Sequence, residues 1–289
     1  MLGHRLVQVL NNEHETWATI RCDFSNVERF DIFDPTRTIQ NIDVADILAI
    51  RRAIDTAKPD VVINAAGIVK QLVSLDNVIQ TLFVNSLFPR RLAELSAEYG
   101  FRLITISTDC VFDGKKGNYS EDDVPNARDL YGLSKLLGEA TNENALTIRT
   151  SIIGRELLTN HSIVEWFLAR RGGNVKGYKN AIYSGFPASE LADIISLLIT
   201  KQPTLSGLYH VSSDPISKYQ LLELLNRYYR ANITIEPSEE VVIDRSLDSS
   251  RFRAATEFRP SSWNEMIERM AMDPTPYDTW RAVSYSHSI

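Results

Sequence analysis

The chain has 289 residues, 44% hydrophobic and 24% charged, with a formal net charge of −6. That length holds one large domain or two ordinary ones, with a core that needs no covalent staples. The acidic balance argues against a general nucleic-acid binder, the ordinary Gly and Pro counts exclude collagen-like and low-complexity chains, and no apolar run reaches the roughly 18 residues of a membrane span.

Thr16 to Arg21 reads as a short strand, and Ile47 to Ala57 has helical spacing that Lys58-Pro-Asp60 ends. Val61-Val62-Ile63 is a β-branched run suited to a strand buried on both faces. Leu87 to Tyr99 is helical and closed by Gly100 at a C-cap position, Phe101 to Ser107 is an apolar strand, Leu133 to Asn142 is helical, and Leu146 to Ile153 is a further strand. Strand and helix in strict turn predict an α/β, Rossmann-type, doubly wound parallel sheet. After Gly154 the rhythm loosens into a smaller α+β lobe. It has helices over Ile163–Arg170 and Ala188–Thr200, a loop at Arg171–Asn174 and a strand at Leu208–Val211. Ser217-Lys-Tyr-Gln220 is a capping box opening a helix to about Ala231, and short strands follow at 233–235 and 241–243. The expected division is 1–154 for a nucleotide-binding domain and 155–289 for a substrate lobe, with 183–212 returning to the first domain. The tail Pro274–Trp280 reads as an extended segment.

Two cysteines, Cys22 and Cys110, are too few for a disulfide framework and fit a reducing cytoplasm. The start, Met1-Leu-Gly-His-Arg-Leu, lacks the basic segment and long apolar core of a signal peptide.

The sharpest chemical signal is Tyr131-Gly-Leu-Ser-Lys135, a tyrosine and a lysine on one helix face. A lysine one turn from a phenol lowers the phenol's pKa and makes it a proton donor and acceptor near neutral pH; taken alone, the pair is equally what an ordinary surface helix shows. Upstream, Ile104-Thr-Ile-Ser-Thr-Asp-Cys-Val-Phe-Asp-Gly114 delivers Ser107 and Thr108 to the carboxyl end of a strand, where open α/β sheets bind ligands. A hydroxyl there can bond a substrate carbonyl, or simply satisfy strand-end backbone. Val61-Val-Ile-Asn-Ala-Ala-Gly67 is a strand followed by small residues that let backbone approach a flat cofactor.

Asn64-Ala-Ala-Gly67, Ser107-Thr108-Asp109 and Tyr131-x-x-x-Lys135, in that order and spacing, resemble the extended short-chain dehydrogenase/reductase superfamily. The strings Ser107–Gly114, Tyr119-Ser-Glu-Asp-Asp123 and Tyr131–Glu139 resemble the dTDP-4-dehydrorhamnose reductases, with Cys110 where that pattern usually has an aromatic residue. Arg149–Gly154, Gly185-Phe-Pro187 and Arg245–Ser250 resemble later landmarks. The resemblance implies that Tyr131 protonates a sugar C4 oxygen as a nicotinamide delivers hydride, Lys135 holds the nicotinamide ribose and tunes Tyr131, and Thr108 bonds the carbonyl. It implies that Asn64, Ala65, Ala66 and Gly67 line the cofactor, that Asn85 helps position it, and that Asp43 and Val44 cradle the adenine. Gly3 falls where the last glycine of the phosphate fingerprint belongs, so the first strand and first two glycines are expected to be absent from the chain as written. After the second strand, Arg21 leans towards NADP, whose 2′-phosphate it would meet, while Asp23 keeps NAD open. The expected partner is a nucleotide-sugar substrate, with a homodimer as the candidate assembly and neither nucleic acid nor membrane involved.

The leading expectation is therefore NAD(P)H-dependent reduction of a nucleotide-linked 4-keto-6-deoxy sugar. Thr108-Asp109-Cys110 lacks the Glu that dehydratases of this superfamily carry, which counts against dehydration. An epimerase and a non-catalytic binding or regulatory subunit stay open as alternatives. His4, His14, His161, His210 and His287 show no metal-ligand spacing. Arg170-Arg171 with Lys176 and Lys179 read as a solvated basic loop sooner than as a diphosphate site, and Trp166-Phe167 as core.

Overall fold

The computed structural model describes residues 1–286. Its main sheet has four parallel strands in the order Gly207–His210, Ala145–Thr150, Arg102–Thr108, Val61–Asn64. The two central strands are β-branched and apolar and lie buried from end to end apart from Arg102, the pattern of strands covered on both faces. The first helix, Leu2–Leu10, places Leu2, Leu6 and Leu10 on one stripe against Ile104, Ile106 and the helix Ala188–Thr200. The opposite layer holds Ile47–Ala57 and Phe88–Tyr99, packed over Phe101, Leu103 and Ala145. Asp46 caps the first of these through the amides of Leu48 and Ala49, and Gly100 ends the second at φ 80°.

Ala18–Thr19 and Thr38–Ile39 form a separate two-stranded parallel ribbon. Among the described residues no strand pairs with the outer edge of Val61–Asn64. Val61, Val62 and Ile63, expected to be buried on both faces, are accordingly only half-buried. Strand Gly207–His210 comes from late in the chain and closes the other edge of the main sheet.

The later part of the chain builds small sheets around helix Lys218–Tyr229. Ile216–Ser217, Ala181–Tyr183 and Ile243–Asp244 form one, and Thr234–Ser238 pairs in parallel with Asn174–Tyr178. The Ser217–Gln220 capping box is present in full. The tail departs from its expected extended form: Tyr277–Ser286 is a helix. Its apolar residues find partners far away in sequence, Tyr277 bonding His4 at 2.8 Å and Trp280 meeting Phe30 edge-on. His287 lies outside the described residues.

Candidate active site

Helix Leu130–Leu137 carries Tyr131 and Lys135 and is wedged against two backbones. Asp129 caps its start by accepting from the Gly132 amide at 2.9 Å. A Cβ on Gly132 would overlap the Cys110 carbonyl, and one on Gly138 the Asn85 carbonyl. Glycine at these two positions lets the helix seat beside the end of strand Arg102–Thr108.

That seating brings Tyr131 beside Thr108, whose hydroxyl bears on the phenol's acidity. The Thr108 hydroxyl also donates to Asp109 Oδ1 and accepts the Cys110 amide, both at 3.1 Å. Burial pushes the Tyr131 phenol well up, the neighbouring Cys110 adds to the rise, and the neighbouring Thr108 offsets part of it. This departs from the lowered phenol expected of a Tyr/Lys pair. The reason is geometric: Lys135 Nζ donates to the Ile106 carbonyl at 2.6 Å. Burial draws that ammonium down to about 8, and Glu139 resists the fall. Burial, helped by Asp109, pushes the Cys110 thiol up to about 12, so Cys110 is no nucleophile here.

The proposed cofactor-lining residues divide into two groups. Asn64 is buried at the end of its strand; its Oδ1 accepts from the Ala66 amide at 3.2 Å while its Nδ2 has no partner among the described residues. Ala65, Ala66 and Gly67 follow with exposed backbone. Asn85 ties this loop to helix Leu130–Leu137, accepting from Ile68 N at 2.8 Å and donating to Ile68 O at 3.0 Å and Ser134 Oγ at 3.1 Å. It does so from a π-helical turn, Phe83–Leu87, a feature frequent at functional sites. The second group stands apart. Arg21 is exposed beyond strand Ala18–Thr19, Asp43 is exposed and accepts from the Ala45 amide, and Val44 packs beside the second core. Gly3 lies in the first turn of helix Leu2–Leu10 with open space where a Cβ would be.

Several residues were not anticipated. Asp109 is buried and its carboxyl pushed up by that burial, against the pull of Arg245. Arg245 Nε donates to the Phe112 carbonyl at 2.9 Å, and Lys218 opens the neighbouring helix. Lys218 is exposed, yet its ammonium is pushed down by protein crowding and by the guanidinium of Arg245. Among the described residues neither cation has a carboxylate within ion-pairing distance. The buried Tyr183 hydroxyl, which feels the Asp109 charge, also lacks a partner. Glu139, Arg149 and His210 form a buried polar cluster behind helix Leu130–Leu137.

The basic loop is occupied by local partners. Lys176 and Lys179 pair with Glu240 and Glu239, Arg170 lies over the Trp166 ring, and Arg171 bonds carbonyls of Tyr229 and Arg230. Phe167 is fully buried core. A groove of about 950 Å³ is lined by residues of helix Lys218–Tyr229 together with Ile235 and Trp263, and Tyr131 is not among its lining residues. No three His, Cys, Asp or Glu side chains converge as metal ligands among the described residues.

A parallel sheet with Thr108 at a strand's carboxyl end and Tyr131 and Lys135 on the helix beside it defines an extended short-chain dehydrogenase/reductase fold. Residues 1–274 match the RmlD substrate binding domain, and the chain belongs to that family. Methionine adenosyltransferase 2 subunit beta of Xenopus tropicalis is 26% identical over 223 residues, covering 72% of this chain and 64% of that protein. The chain thus spans less than two thirds of that relative's length. The dTDP-4-dehydrorhamnose reductase of Aggregatibacter actinomycetemcomitans is 31% identical over 171 residues, 56% of this chain and 58% of that one. The Bacillus anthracis dTDP-4-dehydrorhamnose reductase, solved in complex with NADP, superposes with a TM-score of 0.71 at 21% identity, over 90% of this chain and all of that one. That last likeness speaks to the fold alone.

Proposed function

We propose that this chain is an NAD(P)H-dependent reductase of a nucleotide-linked 4-keto-6-deoxy sugar, with dTDP-4-dehydrorhamnose the substrate to try first. The observation that carries the reading is the Tyr131 phenol beside Thr108 at a strand end, with Lys135 one turn along the same helix.

The chain's side of a nicotinamide site fits this reading at the reacting end. The orphaned Asn64 Nδ2, the exposed backbone of Ala65 to Gly67, and Lys135 would hold the nicotinamide ribose, with Asn85 fixing the loop. Arg21 would meet a 2′-phosphate, which favours NADP over NAD, and Gly3, Asp43 and Val44 would border the remainder. When bound, the cofactor supplies a hydride. The residues do the rest. Thr108 donates to the sugar carbonyl and fixes its plane. Tyr131 delivers the proton to that oxygen, a step its raised affinity for the proton opposes until charge develops on the oxygen. Lys135, as an ammonium beneath the site, stabilises the phenolate left behind.

The test is oxidation of NADPH and NADH by the chain in the presence of dTDP-4-dehydrorhamnose, with the sugar product identified by mass spectrometry. Absence of oxidation above the protein-free rate overturns the reading. A second reading, a regulatory subunit that binds cofactor without turnover, is supported by the similarity to methionine adenosyltransferase 2 subunit beta; tight NADPH binding with no turnover would favour it.

A further inference from the structure

Just past the C-cap Gly138 of the Lys135 helix, Glu139 is buried and its carboxylate fully engaged. Oε1 accepts from the Ser107 hydroxyl at 2.7 Å and from Arg149 Nε at 2.8 Å, and Oε2 accepts from Arg149 Nη2 at 2.8 Å. Ser107 and Arg149 are register partners on neighbouring strands, so both strands clamp the same carboxylate. Behind Arg149 stands His210, whose Nδ1 faces the Tyr119 carbonyl at 2.9 Å. That nitrogen must carry the proton, which leaves Nε2 to accept from Arg149 Nη1 at 3.2 Å. A buried ion pair is weak evidence for stability, since desolvation consumes most of its Coulomb energy. Its position, not its stabilising effect, is what calls for explanation.

Two successive strand residues, Ile106 and Ser107, are held by Lys135 on the helix and by Glu139 just past its C-cap. The groups around the Lys135 ammonium are few. Tyr131 shares its helix, Glu139 follows just past the helix end, the Ile106 carbonyl faces it from the strand, and Gly67 approaches from the loop side. Glu139 is the one carboxylate acting on it among the described residues. Arg149 and the neutral His210 lie on the far side of that carboxylate.

We propose that Glu139 is a positioning residue of the reaction: clamped between Ser107 and Arg149, it supplies the buried negative charge that keeps Lys135 an ammonium and locks the catalytic helix to the strand that ends in Thr108. The consequence for turnover rests on the reductase reading, whereas the dependence of the Lys135 charge on Glu139 is measurable without turnover.

The experiment follows the Lys135 resonance in the full chain with isotope-labelled lysine, assigned by its loss in Lys135→Arg and titrated with pH. The parent midpoint is expected near 8. In Glu139→Gln, which can still accept from Ser107 but carries no charge, the midpoint falls by about one pH unit. Because that variant strands Arg149 without a counter-charge, Glu139→Gln/Arg149→Gln is measured beside it and is expected to show a smaller fall in the same direction. The high-pH limb of dTDP-4-dehydrorhamnose reduction moves with the midpoint. An unmoved midpoint in both variants overturns the proposal, as does a loss of rate that is uniform across pH. A moved midpoint in a chain that never turns over the ketosugar supports the Glu139 coupling and rejects the reductase reading instead.

Discussion

Lys135 donates to the Ile106 carbonyl at 2.6 Å, not to the phenol of Tyr131 one turn before it. The lysine therefore makes no hydrogen bond to the tyrosine, and burial leaves the phenol strongly protonated. A protonated phenol beside Thr108 is the right state for reducing a ketone, in which a proton must be given. Tyr131→Phe keeps the ring and removes that proton. It is expected to lower ketosugar reduction by about 100- to 10,000-fold while NADPH binding, measured by fluorescence titration, stays within about a factor of two to three, since the ring and Lys135 remain. Retention of more than about a tenth of the rate, well short of what general acid catalysis contributes, would remove Tyr131 from the acid role.

Arg21 stands exposed just past the two-stranded ribbon, well placed to answer a doubly charged group and poorly placed to pack against anything. Arg21→Ala should weaken NADPH more than NADH, because only the former presents a 2′-phosphate. The ratio of the two dissociation constants, taken at one ionic strength, is the measurement. Equal weakening of both cofactors would show that Arg21 does not read the phosphate.

What the sequence made legible follows from how local each signal is. The helix Ile47–Ala57 and the end of Phe88–Tyr99 are set by residues within a turn of their ends, Asp46 and Gly100, and both were readable. The Tyr131/Lys135 pair was readable because one helix face carries both members. The Glu139–Arg149–His210 cluster was not, although Glu139 closes the same motif: Arg149 meets a histidine 61 positions away, and only the fold brings the two together. An arginine inside a buried strand was the available clue, since such a charge must find a partner. The tail misled for the same reason. Pro274 and Pro276 suggest extended chain, but the helix after them is fixed by Phe30 and His4, near the other end of the sequence.

The His210 ring gives the fold an acid-sensitive point. Burial, reinforced by Arg149, lowers its pKa from 6.5 to about 4. Between those values the unfolded chain binds a proton that the folded chain refuses. Stability therefore falls as pH drops below 6.5, and the loss is complete once pH has passed about 4. The full loss from this ring is on the order of 3 kcal/mol. His4, held against Tyr277 and lowered to about 3, adds to it with the same sign. Urea unfolding midpoints at neutral pH and about two units below should differ clearly in the parent chain and less in His210→Gln. An identical difference in both would mean that His210 titrates normally in the folded state.

Lys218 and Arg245 are two cations that the fold holds near each other; among the described residues neither has an ion-pair partner, and the Asp109 charge acts on both from farther off. Strand pairing sets this up: Ser217 and Asp244 flank Ile182 from opposite sides, which brings the next residue of each segment to the same small sheet. The Arg245 stem packs against the turn at Gly114, and its Nε is anchored on the Phe112 carbonyl, four residues beyond Thr108. A lysine in the first turn of a helix opposes the helix dipole, and here the guanidinium pushes its ammonium down further. Two like charges without an ion-pair partner at the rim of the proposed site would be relieved by an anion, and a nucleotide-sugar carries one in its diphosphate. Lys218→Met is therefore expected to weaken dTDP binding by about tenfold or more, the cost of a lost charge-assisted bond, and to leave NADPH binding unchanged. Calorimetry with dTDP and with thymidine separates the charge from the base. If Lys218→Met binds dTDP as the parent chain does, the diphosphate is held elsewhere; if the parent chain binds thymidine as well as dTDP, these cations recognise no phosphate at all.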